Sequence, residues 1–380
     1  MGKNSKKQRH QQKPSARQRN SYLASDDEDY NFVNQSENHP PSNSLSNDES
    51  EEKEEDEVNN EEEIDPNNHI KTLIPSKFSL YQQSVQSPKG DISYLQKFFL
   101  MYVGGRAPLH LQEDFCGTAL LSTEWLKSDS RRTAVGVDLD HEALVWCMEH
   151  NFEDVGSDNS SRISLFHGNV LQPREARLVK SSPEDLIQKV TIDKAKDVTQ
   201  DTLEEVSSVP SSERDIICAF NYSCCCLHKR RELVLYFKHA RDSLSKKGGI
   251  FVMDLYGGTS SEQELKLRRK FPNFTYTWEQ AGFDVVQRMT RISLHYQLHK
   301  PQKKIRNAFS YSWRLWSLPE IRDCLEEAGF KRVHFWIREM PDTETNRSIR
   351  GFGTSRDDKY EEVSSFQQQD AWNAYVVAVV

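Results

Sequence analysis

The chain has 380 residues, a formal net charge of −8 and 36% hydrophobic residues, a lower share than in most globular domains. Residues 1–65 hold eight basic and seventeen acidic residues, so the remainder is nearly neutral, which argues against bulk electrostatic capture of nucleic acid. No apolar run approaches the roughly 20 residues of a membrane span, and the basic N-terminus lacks the apolar core of a secretory signal.

Residues 1–68 are rich in Ser, Asn, Gln, Glu and Lys. They cannot bury enough apolar surface to offset the entropy lost on ordering, so we predict a disordered tail. Residues 3–19 are basic and residues 26–65 are acidic. The basic tip is either a nuclear or nucleolar address, an RNA-contacting arm, or part of a solvating tail without a specific partner.

The seven cysteines are an odd number, and three of them are consecutive, at 224–226. This pattern suits neither a disulfide framework nor a zinc site, and no second cluster offers the remaining ligands, so we predict no metal. We therefore expect a reduced intracellular protein, cytoplasmic, with the nucleus as the alternative location. The sequence carries no signal for an oligomeric state.

After residue 91 the pattern becomes that of alternating helices and strands. Helices are predicted from 91 to the glycines at 104–105, and over 119–126, 142–150 and 231–243. Strands are predicted over 109–114, 134–138, 163–166, 216–220 and 250–254. Strand–helix alternation predicts right-handed crossovers and a mainly parallel sheet covered on both faces, which is the α/β class.

Two segments interrupt the alternation. Residues 172–214 are polar and too long for an ordinary connection, so we predict an insertion with a helix around 183–190. Within residues 259–315, aromatic and polar residues alternate over 274–278 and 309–313, which predicts two antiparallel strands. An amphipathic helix over 318–329 and strands over 333–336 and 372–380 close the chain.

Polar and small residues follow the predicted strands where their carboxyl ends share one edge of the sheet. The first strand ends in Glu113-Asp114 and turns through Phe115, Cys116 and Gly117. A glycine at such a turn lets a ligand approach the backbone closely. Asp138 ends the second strand 21 positions after Gly117, which matches the spacing of an acid that binds ribose hydroxyls.

The next two strands end in amides. Asn169 and Val170 follow the third strand, where an amide side chain and a backbone N–H could read the edge of a purine. Asn221 and Tyr222 follow the fourth strand at the same edge.

This ordered set resembles the class I S-adenosylmethionine-dependent methyltransferases. The resemblance runs from about Leu109 to Val380 and rests on the turn at 113–119, Asp138, the segment 168–170, the strand after 248–249 and the run 316–330. It implies a Rossmann-like class I methyltransferase fold in a domain over 69–380, with an antiparallel C-terminal hairpin and an antiparallel aromatic lid. The implied cofactor is S-adenosyl-L-methionine.

The resemblance also implies roles for the strand-end residues. Glu113 would orient the methionine amino group or the turn itself, and Gly117 would pass close to the cofactor with Phe115 and Cys116 in the same turn. Asp138 would accept hydrogen bonds from the ribose. Asn169 and Val170 would border the adenine, and Asn221 and Tyr222 would face the methionine portion and the incoming substrate. Apart from the resemblance, the segment 81–86 precedes the first predicted helix and is predicted to cap the cofactor.

Some residues depart from the family pattern or have simpler explanations. Phe115 and Ala119 stand where that family has glycines, and Phe115 cannot adopt a positive φ cheaply. We therefore expect either a different path for the turn or impaired cofactor binding. Asp138 could instead cap the following helix. Cys116 is favoured as a packing residue over a nucleophile or ligand.

The candidate catalytic residues are Tyr222, Asp254 and Tyr256, with Tyr222 ranked first. The resemblance places them at the ends of the fourth and fifth strands, which face the transferred methyl group. Residues 259–315 are predicted to form a substrate lid, whose aromatic rings either pack on their own sheet or wall a pocket for a planar or cationic acceptor.

A small-molecule acceptor is favoured. RNA, reached through the basic tip, or a protein is the alternative acceptor, and a catalytically silent interaction module is the third possibility. A nucleotide-dependent oxidoreductase is disfavoured, because it would have a GxGxxG turn after the first strand.

Overall fold

The structure is a computed structural model and describes residues 74–153, 161–179, 213–340 and 359–380. The tail predicted over 1–68 and the helix predicted near 183–190 lie outside the described residues. The helices are α1 (Lys77–Val85), α2 (Pro88–Tyr102), α3 (Leu120–Lys127), α4 (His141–His150), α5 (Arg230–Ser243) and α6 (Leu318–Glu327).

Thirteen strands are described, and they form two sheets. They are β1 (His110–Asp114), β2 (Thr133–Asp138), β3 (Ile163–His167), β4 (Arg177–Leu178), β5 (Ile216–Ala219), β6 (Ile250–Gly257), β7 (Leu265–Lys270), β8 (Phe274–Gln280), β9 (Met289–Leu298), β10 (Lys303–Arg314), β11 (Arg332–Glu339), β12 (Glu361–Val363) and β13 (Trp372–Val379).

The larger sheet has nine strands in the order β12-β11-β13-β6-β5-β1-β2-β3-β4. Its centre, from β3 to β6, is parallel, and β4, β13, β11 and β12 join it antiparallel. The predicted α/β, Rossmann-like fold is therefore confirmed. The chain order reverses between β1 and β5, and such a switch point opens a crevice at the carboxyl ends of the two strands.

The parallel strands are buried on both faces. β5 is buried at every position, as expected for a central strand with helices on either side. Apolar residues of α2, α3 and α4 pack on one face of the sheet, while α5, α6 and part of the second sheet pack on the other.

The second sheet is an antiparallel meander in the order β10-β9-β8-β7. The expectation of two aromatic strands within 259–315 was incomplete, because β7 and β9 also belong here and β9 separates β8 from β10. Opposite residues of an antiparallel pair share a face, so Tyr276 lies beside Tyr296 and Phe309 beside Leu294. The aromatic face is thus shared by three strands.

Three further elements differ from the sequence-based expectation. Residues 81–85 of the segment 81–86 belong to α1, which Ser76 caps by accepting a hydrogen bond from the Phe78 N–H. β4 lies inside the predicted insertion 172–214 and pairs with β3, so the start of that segment belongs to the sheet. β12 adds an edge strand outside β11.

Candidate active site

Three residues of the turn after β1 have positive φ, and only one of them is a glycine. Phe115, Gly117 and Ala119 have φ values of 56°, 53° and 48°. Phe115 therefore does adopt the positive φ that its side chain disfavours. Its ring packs edge-on against Tyr236 at 5.6 Å, and the next N–H, of Cys116, donates to the Val137 carbonyl at 3.1 Å. These contacts offset the cost of a left-handed side chain, about 1–2 kcal/mol.

Gly117 leaves room for a ligand above the turn. A Cβ added to Gly117 would meet no atom within 4 Å. Cys116, beside it, is buried, and its sulfur lies against the place where a Cβ on Gly136 would be. Burial raises the pKa of the Cys116 thiol well above its ordinary value, so this residue is a packing residue rather than a nucleophile.

Asp138 connects the ends of β1 and β2. Its Oδ2 accepts a hydrogen bond from the Gly117 N–H at 2.6 Å, and its Oδ1 accepts one from the Asp140 N–H at 2.7 Å. Asp140, not Asp138, caps α4 by accepting from the Ala143 N–H, so the alternative of Asp138 as a helix cap is wrong. Burial raises the pKa of Asp138, while its backbone hydrogen bonds lower it.

Glu113 lies below the turn on the α3 face of the sheet. It is buried, and its Oε2 accepts both the Ser122 N–H at 2.9 Å and the Ser122 hydroxyl at 2.6 Å. Burial raises the pKa of Glu113 to about 8, so its carboxyl is mostly neutral at pH 7. Of the two roles that the resemblance implies for Glu113, these contacts support orientation of the turn.

The end of β3 reaches the same edge through a short turn. The Gly168 N–H donates to the Asp138 carbonyl, which brings Asn169 next to Asp138. The Asn169 Oδ1 accepts from the Leu171 N–H at 2.9 Å, so that oxygen holds its own turn, and its NH₂ group remains a donor. Val170 is buried in the core on the α5 side of the sheet.

Asp254 holds the turn after β5. Asn221 and Tyr222 both have left-handed backbones, with φ values of 57° and 58°. The Asn221 N–H donates to Asp254 Oδ2 at 2.9 Å and the Tyr222 N–H to Asp254 Oδ1 at 2.8 Å. Burial raises the pKa of Asp254 to about 8. These contacts describe a residue that positions Tyr222.

Tyr222 and Tyr256 face a cavity of about 260 Å³ between the ends of β6 and β13 and the second sheet. The Tyr222 hydroxyl donates to Asn373 Oδ1 at 3.1 Å, and the Tyr256 hydroxyl donates to Gln280 Oε1 at 3.3 Å. Burial raises the pKa of both phenols well above the ordinary value. Both therefore stay protonated at neutral pH.

Sequence reasoning missed Gln280 and Asn373. The Gln280 Nε2 donates to the carbonyls of Ser260, Ser261 and Gln263 at 2.7–3.1 Å, which fixes its oxygen toward Tyr256. Gln280 stands on the aromatic strand two positions after Trp278, and period-two alternation was the available signal for it. Asn373 meets Tyr222 across 151 positions of sequence, and no local pattern marks it.

Helix α1 lies between the turn after β1 and the second sheet. The Gln82 Nε2 donates to Thr118 Oγ1 at 2.7 Å, and the Tyr81 ring packs against Phe309 at 4.9 Å. The Ser84 and Tyr296 hydroxyls are 3.3 Å apart. The segment predicted to cap the cofactor therefore contacts both the turn after β1 and the second sheet.

The described residues form neither a metal centre nor a membrane-spanning helix. The described residues bring together no group of three or more His, Cys, Asp or Glu side chains suited to a metal ion. In the same parts of the chain, every helix is too short or too polar to cross a membrane.

No protein family and no curated protein matches the chain. Solved structures are similar in outline. They include an S-adenosylmethionine-dependent methyltransferase from Clostridium acetobutylicum (12% identity, TM-score 0.45, 78% of this chain and 96% of that one). DesVI of Streptomyces venezuelae has 11% identity and a TM-score of 0.48 over 79% of this chain and 94% of that one. The CcbJ methyltransferase of Streptomyces caelestis has 11% identity and a TM-score of 0.46 over 80% of this chain and 98% of that one.

Proposed function

We propose that the chain is an S-adenosylmethionine-dependent methyltransferase that acts on a small molecule. One observation carries the proposal: two turns with different chemistry adjoin at the switch point. The turn after β1 presents Gly117, which is hydrogen-bonded to Asp138 at the end of β2, and the turn after β5 presents Tyr222 to an aromatic cavity. Because β1 and β5 pair in parallel, the two turns are neighbours.

The residues at the first turn suit the cofactor. The open space above Gly117 would admit its chain, and Asp138 keeps oxygen lone pairs for the ribose hydroxyls. The Asn169 NH₂ group would donate to a ring nitrogen of the adenine. When bound, S-adenosylmethionine supplies a methyl group on a positively charged sulfur. Gly117, Asp138 and Asn169 would hold the cofactor, and the methyl group that it would supply would go to a lone pair of the acceptor.

The residues of the second turn position the acceptor. Tyr222, in the turn after β5, and Tyr256, near the end of β6, line the cavity and would contact the acceptor there. Asp254 acts through Tyr222, because its two oxygens hold the left-handed backbone there. Positioning and exclusion of water are the main contributions that such a site makes to a displacement at carbon.

The concave, mostly apolar shape of the cavity favours a small molecule over RNA or protein. Its walls come from both sheets and leave a space of about 260 Å³, whereas a flat or strongly basic surface would suit a macromolecule. The left-handed path of the turn at Phe115 favours an active cofactor site over a silent module.

Calorimetry on the full 380-residue chain tests the proposal. We expect S-adenosylmethionine and S-adenosylhomocysteine both to bind. If neither ligand binds at millimolar concentration, the methyltransferase proposal is wrong and the silent module becomes the better account.

A further inference from the structure

One end of the second sheet carries a cluster of positive charge. The turn between β7 and β8 lies there beside the turn between β9 and β10, because the His299 N–H donates to the Asn273 carbonyl at 2.9 Å. Neighbouring strands are about 4.8 Å apart, so the sheet is about 14 Å wide at this level. The basic end is defined by five exposed cations, Lys270, Lys300, Lys303, Lys304 and Arg306.

The described residues give these cations no counter-charge. None of the five forms an ion pair with a described residue. Residues 265–314 contain two acids. Glu279 is paired with Lys266 at 2.9 Å, and Asp284 lies in the hairpin between β8 and β9, at the opposite end of the sheet. A cluster of like charges of this kind attracts a polyanion.

Helix α1 brings the N-terminal part of the chain to the same end of the sheet. Leu80 of α1 is buried in one cluster with Phe274 and Leu298, and Leu298 pairs directly with Lys303. The Phe78 ring lies 6.1 Å from the Phe309 ring on β10. The chain that precedes α1 therefore begins beside the basic end.

The sequence that precedes α1 has the complementary charge. Residues 48–65, which lie outside the described residues, contain twelve acids and one lysine. Asp65 precedes Ile74 by nine positions. Nine residues span at most about 30 Å, roughly twice the width of the sheet, and so short a tether gives a local concentration on the order of millimolar. This tether favours the chain's own acidic segment over a polyanion from outside, such as RNA.

We propose that the acidic segment 48–65 binds the basic end of the second sheet. The contact consists of exposed ion pairs, which are individually weak, so it depends on their number and on the tether. While it is formed, the basic end is closed to other polyanions. The inference does not depend on the proposed methyltransferase function.

Carbodiimide coupling of carboxyl groups to lysines in the full chain, read by mass spectrometry, tests the contact. We expect cross-links from residues 48–65 to the four lysines of the basic end in about tenfold excess over those to Lys246 and Lys247. These two control lysines are exposed and precede the amino end of β6, whereas the second sheet lies by its carboxyl end. The excess should disappear in 1 M salt, where the Debye length is about 3 Å.

A mixture of unlabelled and ¹⁵N-labelled chains separates contacts within one chain from contacts between copies. Cross-links within one chain support the inference. Cross-links that join a labelled to an unlabelled chain, or that spread evenly over the exposed lysines, overturn it.

A variant with the twelve acids of 48–65 changed to their amides gives a second test. It should bind a fluorescent oligouridylate at least about tenfold more tightly than the unmodified chain, because the basic end is then open. Adding Lys303→Gln and Lys304→Gln should remove most of that gain, whereas adding Lys246→Gln and Lys247→Gln should keep it. If the unmodified chain binds the oligouridylate as tightly as the variant, the basic end is a nucleic-acid surface and the inference is wrong.

Discussion

Two acidic residues near the end of β2, Asp138 and Asp140, are expected to affect different quantities: cofactor affinity and the free energy of unfolding. Asp138 faces the turn at Gly117, and Asp140 caps α4 two positions later. We expect Asp138→Ala to weaken S-adenosylmethionine binding by roughly 1.5–3 kcal/mol, the range for hydrogen bonds to a charged group. Asp140→Ala should instead lower the unfolding free energy by about 1 kcal/mol and leave the affinity unchanged. Calorimetry and urea unfolding measure the two effects, and an unchanged affinity in Asp138→Ala would contradict the assignment.

Asp254 offers a test between positioning and proton transfer. Asn has one acceptor oxygen, so Asp254→Asn loses one of two backbone hydrogen bonds and faces an N–H with its own NH₂. We expect the unfolding free energy to fall by about 1–3 kcal/mol.

Asp284→Asn is the matched control for Asp254→Asn. Asp284 accepts two backbone N–H groups through one oxygen in an exposed turn, and Asn can keep both bonds. Its effect should stay within about 0.5 kcal/mol. Full stability of Asp254→Asn together with lost methyl transfer would instead indicate a catalytic base.

At the scale of elements, α1 joins the cofactor turn to the second sheet through Gln82. Gln82→Ala should weaken cofactor binding by about 0.5–1.5 kcal/mol, because the hydrogen bond to Thr118 is lost. Gln83→Ala is the control, because the Gln83 amide donates only to Ser79, one turn earlier on the exposed side of α1. Equal affinities of the two variants in calorimetry would show that α1 does not hold the turn.

The parallel core was predictable because buried strands and helices alternate in the sequence with clear periods. The second sheet was only half predictable. Apolar residues alternate along β9, but it lacks the repeated aromatic residues that mark β8 and β10. The sequence of β7 is mostly basic, which does not indicate a strand. The position of β7 in the sheet depends on its pairing with β8, and the local sequence pattern does not encode that pairing.

At the site, the strand-end acids and amides could be predicted because parallel strands end at one edge. The conformation of Phe115 could not, because the contacts that stabilise it come from Tyr236 and Val137, far along the chain. The roles of Gln280 and Asn373 could not be predicted for the same reason. Their roles arise when two sheets meet around one cavity.

For the whole molecule, buried carboxyls set the pH dependence of stability. Burial raises the pKa of Glu113 and Asp254 to about 8 and of Asp91 and Asp114 to about 6. The folded chain thus keeps protons that the unfolded chain releases above about pH 4–5. The unfolding free energy should therefore fall as pH rises from 5 to 8, by up to about 1.4 kcal/mol per pH unit for each group within its window.

Glu113→Gln should reduce that slope, because the amide does not titrate and can still accept from Ser122. Glu142→Gln, at an exposed ion pair with Lys77, should leave the slope unchanged. Urea unfolding at pH 5, 6, 7 and 8 measures both. A stability that rises with pH over this range would contradict the buried, protonated state of these carboxyls.

The central claim is that a cofactor passes directly over Gly117, and a pair of glycine substitutions tests it most directly. Gly117 and Gly105 both have positive φ, 53° and 69°, and in both cases a Cβ would meet no atom within 4 Å. Alanine at either position carries the same kind of backbone strain, about 1–2 kcal/mol, so the two variants should lose similar stability.

The measurement is calorimetric titration of S-adenosylhomocysteine into the full chain and both variants. We predict that Gly117→Ala weakens binding at least about tenfold, equivalent to about 1.4 kcal/mol, because its methyl group enters the cofactor's space. Gly105→Ala should bind as the unmodified chain does. Equal affinities for all three proteins, or no binding to any of them, would contradict the account.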